Sequence, residues 1–545
     1  MSNDNRSRNP LQPAGNSRRR FLTQAGTAVA GVAASLATHG AEGQRAATHT
    51  QTPRHSRPNI LFLMSDDMCA ELSCYGALGR AQTPNLDRLA AEGVRFDRNY
   101  CQFPLCNPSR ASLFTGRKPT VTGVLGNRTD FRTDHPEWVS LPQFFREHGY
   151  ATYRTGKIFH GGIDDPKAWD VVGFDENRIA GTELPLEHQR VIPPQPVLPP
   201  PPGIPVAKRI PEGTPDPNHG AHSDRILIVE GDGTGHPENG SADRAIAYLR
   251  EHRDAGSAKQ PKPFFLACGF SKPHSPPAAP QGFYDLYDLD ALDLPPNFAA
   301  WPTVPPGFPS AAIRKQNADL FIGRGASELE AKEVLRAYLA STSWVDWNIG
   351  RVLKELDATD LRQNTIVVFV ADHGYQLGER GKWSKAGSLF EMGTRIPLII
   401  RAPDATGNGR SCYRTVQSLD LYPTLLELCG FSPSAEQEGA SLVPLLQNPQ
   451  ATWEQPAFSI WSEDGKTVHG TSIRIERYRY VEFGDKASHG AMLFDEHVDP
   501  YELTNLADDP AHAKLRADLS IRIARYHSNN IGISISEARG RTDLV

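Results

Sequence analysis

Three short runs, Ile60-Leu61-Phe62-Leu63-Met64, Phe264-Phe265-Leu266-Ala267 and Ile366-Val367-Val368-Phe369-Val370, are continuously apolar and stop abruptly at polar residues. A run that does not alternate has no solvent face, so each reads as a strand covered on both sides. The first stops at Ser65-Asp66-Asp67, the second leads through Cys268-Gly269-Phe270 to Lys272-Pro273-His274, and the third leads to Asp372-His373-Gly374. A weaker fourth run, from Tyr150 to Arg154, delivers Lys157 and His160. Helical stretches at 84 to 92, 141 to 148 and 243 to 252 separate the strands, which predicts an α/β fold, a mostly parallel sheet with helices on both faces. Such sheets bind ligands beyond the carboxyl ends of their strands, so four polar clusters far apart in sequence are expected at one edge.

Residues 106 to 117, Cys-Asn-Pro-Ser-Arg-Ala-Ser-Leu-Phe-Thr-Gly-Arg, belong at that edge. Pro108 is tolerated in a first helical turn, Ala111 to Phe114 continue the helix, and Gly116 can end it. Cys106 then sits where unpaired backbone N–H groups and the positive end of the helix dipole favour an anion. Arg110, one turn in, adds a permanent bidentate donor. Taken alone, the run equally permits a buried thiol or a disulfide between Cys106 and Cys101.

With 545 residues, 39% hydrophobic and 22% charged, the chain has material for one large core and a smaller domain. A net charge of −5 and a pI near 6.4 suggest no nucleic-acid partner, and the densest basic run, Arg18-Arg19-Arg20, falls in a segment expected to be removed. Ser17-Arg18-Arg19-Arg20-Phe21-Leu22, followed by an Ala/Gly/Val-rich stretch from 25 to 37, looks like a twin-arginine export signal with a cut after Ser35-Leu36-Ala37. The predicted location is therefore the periplasm or the exterior, reached through the Tat translocon. No membrane anchor is expected, because no stretch approaches the roughly eighteen apolar residues of a spanning helix. Seven cysteines are an odd number; with Cys106 set aside, up to three bridges are allowed and none is required.

The expected organisation is a signal peptide (1–40), a linker (41–57), a large domain (58–445) and a smaller C-terminal α+β domain (446–545) with an antiparallel sheet. Pro-rich runs between 183 and 220 read either as an ordered surface excursion or lid, or as a flexible insertion. Pro423 can open a short helix in which Leu425, Leu428 and Cys429 share a face and which Gly430 ends. Alternation from Ser472 to Phe483 marks a strand pair, and 511 to 527 reads as helical.

Asp66, Asp67 and Asp372 offer hard oxygen ligands suited to Ca²⁺ or Mg²⁺, whereas His373 is a softer donor, so ligand type leaves the metal open. Lys157, His160, Lys272, His274 and Lys385 supply cations and proton-transfer groups. Glu391 and Arg395 read either as support behind them or as a solvated ion pair.

Cys106-x-Pro108-Ser109-Arg110 followed by Thr115-Gly116-Arg117 resembles the signature of type I sulfatases in the alkaline phosphatase superfamily, in which the cysteine is converted to formylglycine. The likeness extends from about Pro58 to Asp509. Asp66-Asp67 with Cys74-Tyr75-Gly76, Gly156-Lys157-Ile158-Phe159-His160, Lys272-Pro273-His274 and Asp372-His373-Gly374 make it most similar to iduronate-2-sulfatases. The resemblance implies an alkaline-phosphatase-like large domain and one Ca²⁺ held by Asp66, Asp67, Asp372, His373 and an oxygen of modified Cys106. It also implies Arg110, Lys157 and Lys385 around formylglycine and sulfate, His274 as proton donor to the leaving alcohol, and His160 as acceptor of a proton when sulfate departs. A departure is Arg380, where the family often has His. The implied partners are a formylglycine-generating or sulfatase-maturating enzyme and a sulfated carbohydrate, with 2-O-sulfated uronates foremost. Rival readings are a formylglycine-dependent phosphodiesterase or phosphonate monoester hydrolase, and a catalytically silent glycan-binding protein in which Cys106 stays a thiol.

Overall fold

The computed structural model describes residues 57–173, 189–191, 225–256 and 262–528. The export signal, nearly all of the linker and most of the 183–220 segment lie outside them. The strands in chain order are β1 (Asn59–Asp66), β2 (Val94–Tyr100), β3 (Ala151–Gly156), β4 (Val171–Val172), β5 (Gln189–Val191), β6 (Arg225–Val229), β7 (Phe264–Pro273), β8 (Ala278–Pro280), β9 (Thr365–Ala371), β10 (Arg395–Arg401), β11 (Arg410–Gln417), β12 (Ala457–Trp461), β13 (Gly470–Arg474), β14 (Tyr478–Phe483) and β15 (Ala491–Asp495). The large sheet has the order β11-β2-β10-β9-β1-β7-β3-β4. Its pairings are parallel except at β10, which runs antiparallel to both β9 and β2.

The three apolar runs form the three central strands. Every residue of β1 and β9 is buried, as a strand without a polar face requires. Ser65 pairs with Ala371, Met64 with Gly269, and Gly156 with Gly269, so the polar residues that follow β9, β1, β7 and β3 leave the sheet at one level. β7 continues past the expected run to Pro273 through an irregularity opposite Asp66. The structure therefore bears out the expected shared edge.

The expected helices are present as Pro84–Glu92, Leu141–Glu147 and Pro237–Gly256. The longest helix among the described residues, Glu328–Ala358, was not among them; Ser327 and Glu330 close a capping box at its start, and it packs on β7, β8 and the Pro237–Gly256 helix. The helix expected to open at Pro423 instead begins at Leu421, which puts Pro423 in the first turn, where a missing N–H breaks no intrahelical bond. It ends at Leu428, leaving Cys429 as the cap residue, and Gly430 takes a left-handed φ of 76°. All seven cysteines are free thiols, so none of the permitted bridges, Cys101–Cys106 included, is formed.

β12 to β15 form an antiparallel sheet in chain order, and the Ala513–Ser528 helix packs on β13 and β14. A buried ionic cluster fastens this sheet to the large one. Arg479 on β14 is fully buried, pairs with Glu391, and lies 2.9 Å from Glu502 and 3.3 Å from Glu496. Glu391 also accepts from Tyr100 on β2 at 2.8 Å and lies 3.4 Å from Arg474. Of the two readings of Glu391, the solvated pair is excluded by its burial; its partners are Tyr100 and Arg395 of the large sheet and Arg474 and Arg479 of the C-terminal sheet. Removing one partner of a buried ionic group costs about 3–5 kcal/mol. Arg479→Met, which would leave Glu391, Glu496 and Glu502 together without it, is expected to lower stability on that scale. A denaturant midpoint equal to that of the unmodified protein would show the cluster to be solvated.

Candidate active site

Cys106 opens a helix, Cys106–Thr115, buried at every position and closed by Gly116 in the left-handed region at φ 67°. Leu105 precedes it and supplies no capping side chain, while Asn127 accepts from the Asn107 N–H at 3.1 Å. Pro108 carries no N–H and the Ser109 N–H donates to the Leu105 carbonyl at 3.1 Å, so the first turn spends its donors largely within the chain and an anion here must be met chiefly by side-chain cations. The Cys106 thiol lies 3.4 Å from Asp66 Oδ1 and 3.2 Å from His373 Nε2. Burial, and then the Asp66 carboxylate, push the thiol well above its ordinary range, so it is neutral and not a poised thiolate.

Asp66 ends β1, Asp67 follows it with φ 61°, and Asp372 and His373 follow β9. Asp372 Oδ1 accepts from the N–H groups of Asp67 (3.1 Å) and His373 (2.9 Å), which locks the two strand ends together. Its Oδ2 accepts from Arg110 Nε at 2.9 Å. His373 Nδ1 lies 2.9 Å from the Gly374 carbonyl; donation there leaves the Nε2 lone pair facing Cys106 and the carboxylates, 3.4 Å from Asp67 Oδ1 and 3.5 Å from Asp372 Oδ2.

Three cations enclose this group. Arg110 is fully buried, donates to the Lys157 and Ile158 carbonyls at 2.9 and 2.7 Å, and lies 3.6 Å from Asp66. Lys157 donates to Asp66 Oδ2. Lys385 lies 2.9 Å from Asp67 Oδ2 and 3.3 Å from Asp319. Lys157 can emerge here because β3 and β7 close on glycine: a Cβ on Gly156 would stand 1.9 Å from the Gly269 carbonyl oxygen, and one on Gly269 equally close to that of Lys157 at 1.9 Å. Burial alone would raise the Asp66 carboxyl, but the Lys157 and Arg110 cations hold it well below its usual range. For Asp67 burial prevails: Lys385 opposes it, Asp66 adds to it, and the carboxyl rests at about 7.

His274 follows β7, with Nδ1 2.7 Å from the Ser275 carbonyl and Nε2 4.0 Å from Asp67 Oδ2. His160 lies past β3, its Nδ1 buried without a hydrogen-bond partner. Burial and then the cations Lys385 (for His274) or Lys157 (for His160) disfavour the charged imidazoles, His274 well below its ordinary value and His160 down to about 3. Both are neutral until an anion arrives. Lys272 turns instead to the His274 and Pro276 carbonyls, at 3.0 and 2.9 Å, and shapes the His274 turn.

Asp66, Asp67, Cys106, Arg110, Lys157, Asp372, His373 and Lys385 meet in this group and His274 reaches its edge, whereas Lys272 turns away and His160 stands past β3 with Nδ1 unpartnered; three further residues join the group. Tyr338 donates to the Asp67 carbonyl at 2.6 Å and accepts from the Cys69 N–H at 2.9 Å, Ser109 donates to the Asp372 carbonyl at 2.6 Å, and Asp319 faces Lys385. Ser109 lies within the Cys106 run and Tyr338 on the long helix, which the Ser327-x-x-Glu330 pattern could have disclosed; Asp319 carries no such signal. Arg380, the departure from the family pattern, donates to the Tyr501 carbonyl at 3.1 Å, away from the carboxylates.

Residues 58–431 match the family described as Sulfatase, and residues 378–529 match the region described as N-sulphoglucosamine sulphohydrolase, C-terminal. The chain belongs to the sulfatase family. It is 32% identical over 464 residues to a sulfatase of Formosa agariphila, covering 83% of each protein. It is 30% identical over 413 residues to iduronate 2-sulfatase of Homo sapiens, covering 68% of this chain and 69% of that one. A solved structure in complex with its substrate D-glucosamine-2-N,6-O-disulfate superposes with a TM-score of 0.64 at 23% identity, over 87% of this chain and 99% of that one. A phosphonate monoester hydrolase from Silicibacter pomeroyi gives 0.61 at 26% identity, over 87% and 96%.

This sulfatase is therefore a sulfuric ester hydrolase, and the residues present fit the metal ion that its family generally uses. Ligand atoms of Asp66, Asp67, Cys106 and His373 lie within 4.8 Å of one another, and Asp67 Oδ1 is buried with no hydrogen-bond partner. Because the native Asp67 carboxyl keeps its proton to higher pH than an unfolded one (3.8), its contribution to the cation-free fold is present at low pH and lost as pH rises through about 7. A cation must displace that proton. Ca²⁺ or Mg²⁺ affinity is accordingly expected to rise from pH 6 to 8, by up to about tenfold per unit below the Asp67 value. Calorimetric titration across this range checks it, and a pH-independent Kd would contradict it.

Proposed function

We propose that this sulfatase hydrolyses sulfate esters of a sulfated glycan or its oligosaccharides, with 2-O-sulfated uronates as the leading substrate, and that residue 106 acts as formylglycine. The observation that carries the reading is the placement of Cys106: a neutral thiol at a helix start, 3.2 Å from His373 and 3.4 Å from Asp66, with Arg110, Lys157 and Lys385 around the same carboxylates. A protonated thiol is a weak nucleophile, whereas the surroundings are built for an anion. When present, formylglycine supplies at this position an oxygen nucleophile that the thiol does not. Asp66, Asp67, Asp372 and His373 would hold Ca²⁺, whose chemistry is to neutralise charge on oxygen.

The chain's own groups divide the remaining work. Arg110, Lys157 and Lys385 bind the sulfate oxygens and offset charge that builds in the transition state. His274 presents Nε2 to the cluster and gives a proton to the departing alcohol, and His160 accepts one when sulfate leaves. An arriving sulfate anion favours the protonated imidazole that His274 needs. Identity to a human iduronate 2-sulfatase supports the uronate, while a related structure holds a glucosamine sulfate, so the sugar rests on the sequence relationship alone. The similarity to a phosphonate monoester hydrolase favours a second reading on phosphorus, and rates on matched sulfate and phosphonate esters decide between them. In a silent glycan-binding protein residue 106 would remain a thiol.

Mass spectrometry of the peptide containing residue 106, from protein made with a maturation system, is expected to show the aldehyde or its hydrate. Cys106→Ala should abolish turnover and leave the fold intact; full activity in that variant would overturn the assignment. The two histidines should fail differently. His274→Ala is expected to lose about 10²–10⁴-fold on an alkyl sulfate and much less on an activated aryl sulfate, because acid catalysis matters less when the leaving oxyanion is stable. His160→Ala should lose a similar factor on both, and equal leaving-group sensitivity in the two variants would mean that the roles are wrongly divided. None of the described helices is long and apolar enough to cross a membrane, and we assign export to the Arg18-Arg19 pair. Replacing both with Lys should hold folded, active enzyme in the cytoplasm, and normal export of that variant would exclude the twin-arginine route.

A further inference from the structure

Lys385 stands between two carboxylates, Asp67 at 2.9 Å and Asp319 at 3.3 Å. Asp319 comes from an irregular loop that the reading above does not use, yet that loop is fastened residue by residue to the one bearing Lys385. Lys382 Nζ donates to the Gln316 carbonyl at 2.8 Å, Asn317 Nδ2 to the Gly381 carbonyl at 3.2 Å, the Trp383 N–H to Asn317 Oδ1 at 2.9 Å, and the Leu320 N–H to the Trp383 carbonyl at 3.3 Å. Trp383 is fully buried and Asn317 nearly so. Asp319 is thus set opposite Lys385 by bonds in which neither of the two side chains takes part.

Asp67 has two claims on it. Its Oδ2 receives Lys385, while its Oδ1, buried without a hydrogen-bond partner and 3.4 Å from His373 Nε2, faces the group able to hold a metal ion. A divalent cation there draws charge from Asp67 and repels the ammonium, while Asp319 remains within reach as a counter-charge outside the ligand group. We propose that Asp319 is a positioning residue that keeps Lys385 in place when a divalent cation takes Asp67, and thereby eases the loading of that cation. This rests on the metal reading of the site.

The test is calorimetric titration of Ca²⁺ alone into chelator-treated, full-length wild type, Asp319→Asn, Lys385→Met and the double variant, with thermal unfolding of each chelated protein alongside. Asp319→Asn is expected to weaken Ca²⁺ binding by about 10–100-fold, the scale for groups that support metal ligands. The chelated variant should unfold at the wild-type temperature, and its activity deficit should shrink as Ca²⁺ is raised. In the Lys385→Met background the same change should have little effect, since the ammonium it restrains is gone. Unchanged Ca²⁺ affinity in Asp319→Asn, an equal loss in both backgrounds, or a loss that only follows a destabilised chelated protein would overturn the proposal. Should Asp319→Asn not fold, Lys385→Met still tests it: Ca²⁺ affinity must not fall when the competing ammonium is removed, and a fall overturns the proposal. Failure of wild type to bind Ca²⁺ or Mg²⁺ would instead overturn the metal reading itself.

Discussion

Repulsion among Asp66, Asp67 and Asp372 is the constraint that the rest of the structure answers. All three are fully buried at the ends of two neighbouring strands. Like charges about 4 Å apart repel by about 4 kcal/mol at an effective dielectric of 20, so a few uncompensated pairs would consume the 5–15 kcal/mol by which a typical domain is stable. Arg110, Lys157 and Lys385 meet the three carboxylates one for one, and Asp319 tips the sum negative. The side chains alone therefore present no surplus of positive charge to an anionic ester. On the proposed reading a divalent cation would supply it, which would tie the stability of the site and its affinity for sulfate to the same ion.

Such a cluster needs a frame that does not yield, and adjacent parallel strands provide one. Asp372 accepts from the N–H groups of Asp67 and His373, so the carboxylate that Arg110 neutralises also splices β1 to β9. Arg110 in turn donates to the carbonyls of Lys157 and Ile158, which binds the Cys106 helix to the end of β3. The Gly374 N–H donates to Gly393 at 3.1 Å, and Gly393 lies in the short Glu391–Thr394 helix that Arg479 grips from the C-terminal sheet. Apart from the neutral Gly374–Gly393 backbone bond, these links are hydrogen bonds or ion pairs to charged groups, which are stronger than neutral ones.

The parts of this arrangement legible in the sequence are those fixed locally. Ile60 to Met64 and Ile366 to Val370 have no polar face, so their burial and their abrupt polar ends could be read directly. Pro108 and Gly116 likewise bracketed the Cys106 helix. What escaped depends on partners far along the chain. Glu391 and Arg395 look like a surface pair until Arg474 and Arg479, more than seventy residues later, are folded against them. Asp319 has no periodicity or motif around it, and its role comes from hydrogen bonds between two irregular loops. Pro423 misled for a simpler reason: a first helical turn accepts proline at more than its opening position, so the helix began earlier than its most visible residue.

The division between what is fixed at strand ends and what is fixed by loops also explains why reaction class is firmer than substrate. In the proposed function the strand ends and the Cys106 helix recognise a tetrahedral anion. A sulfate monoester and a phosphonate monoester each carry a single negative charge near neutral pH and nearly the same shape, so the charge balance just described treats them alike. Discrimination must then come from groups that sense the rest of the substrate. In the proposed mechanism His274 would sense the leaving oxygen, because a sugar alcohol needs a proton that an activated phenol does not. The sugar itself must be met by loops beyond the sheet edge, and loops are where binding specificity varies on a common scaffold. A fold shared with a phosphonate hydrolase is thus the expected result of a centre that selects charge and geometry first, and leaves the identity of the ester to residues that the strands do not position.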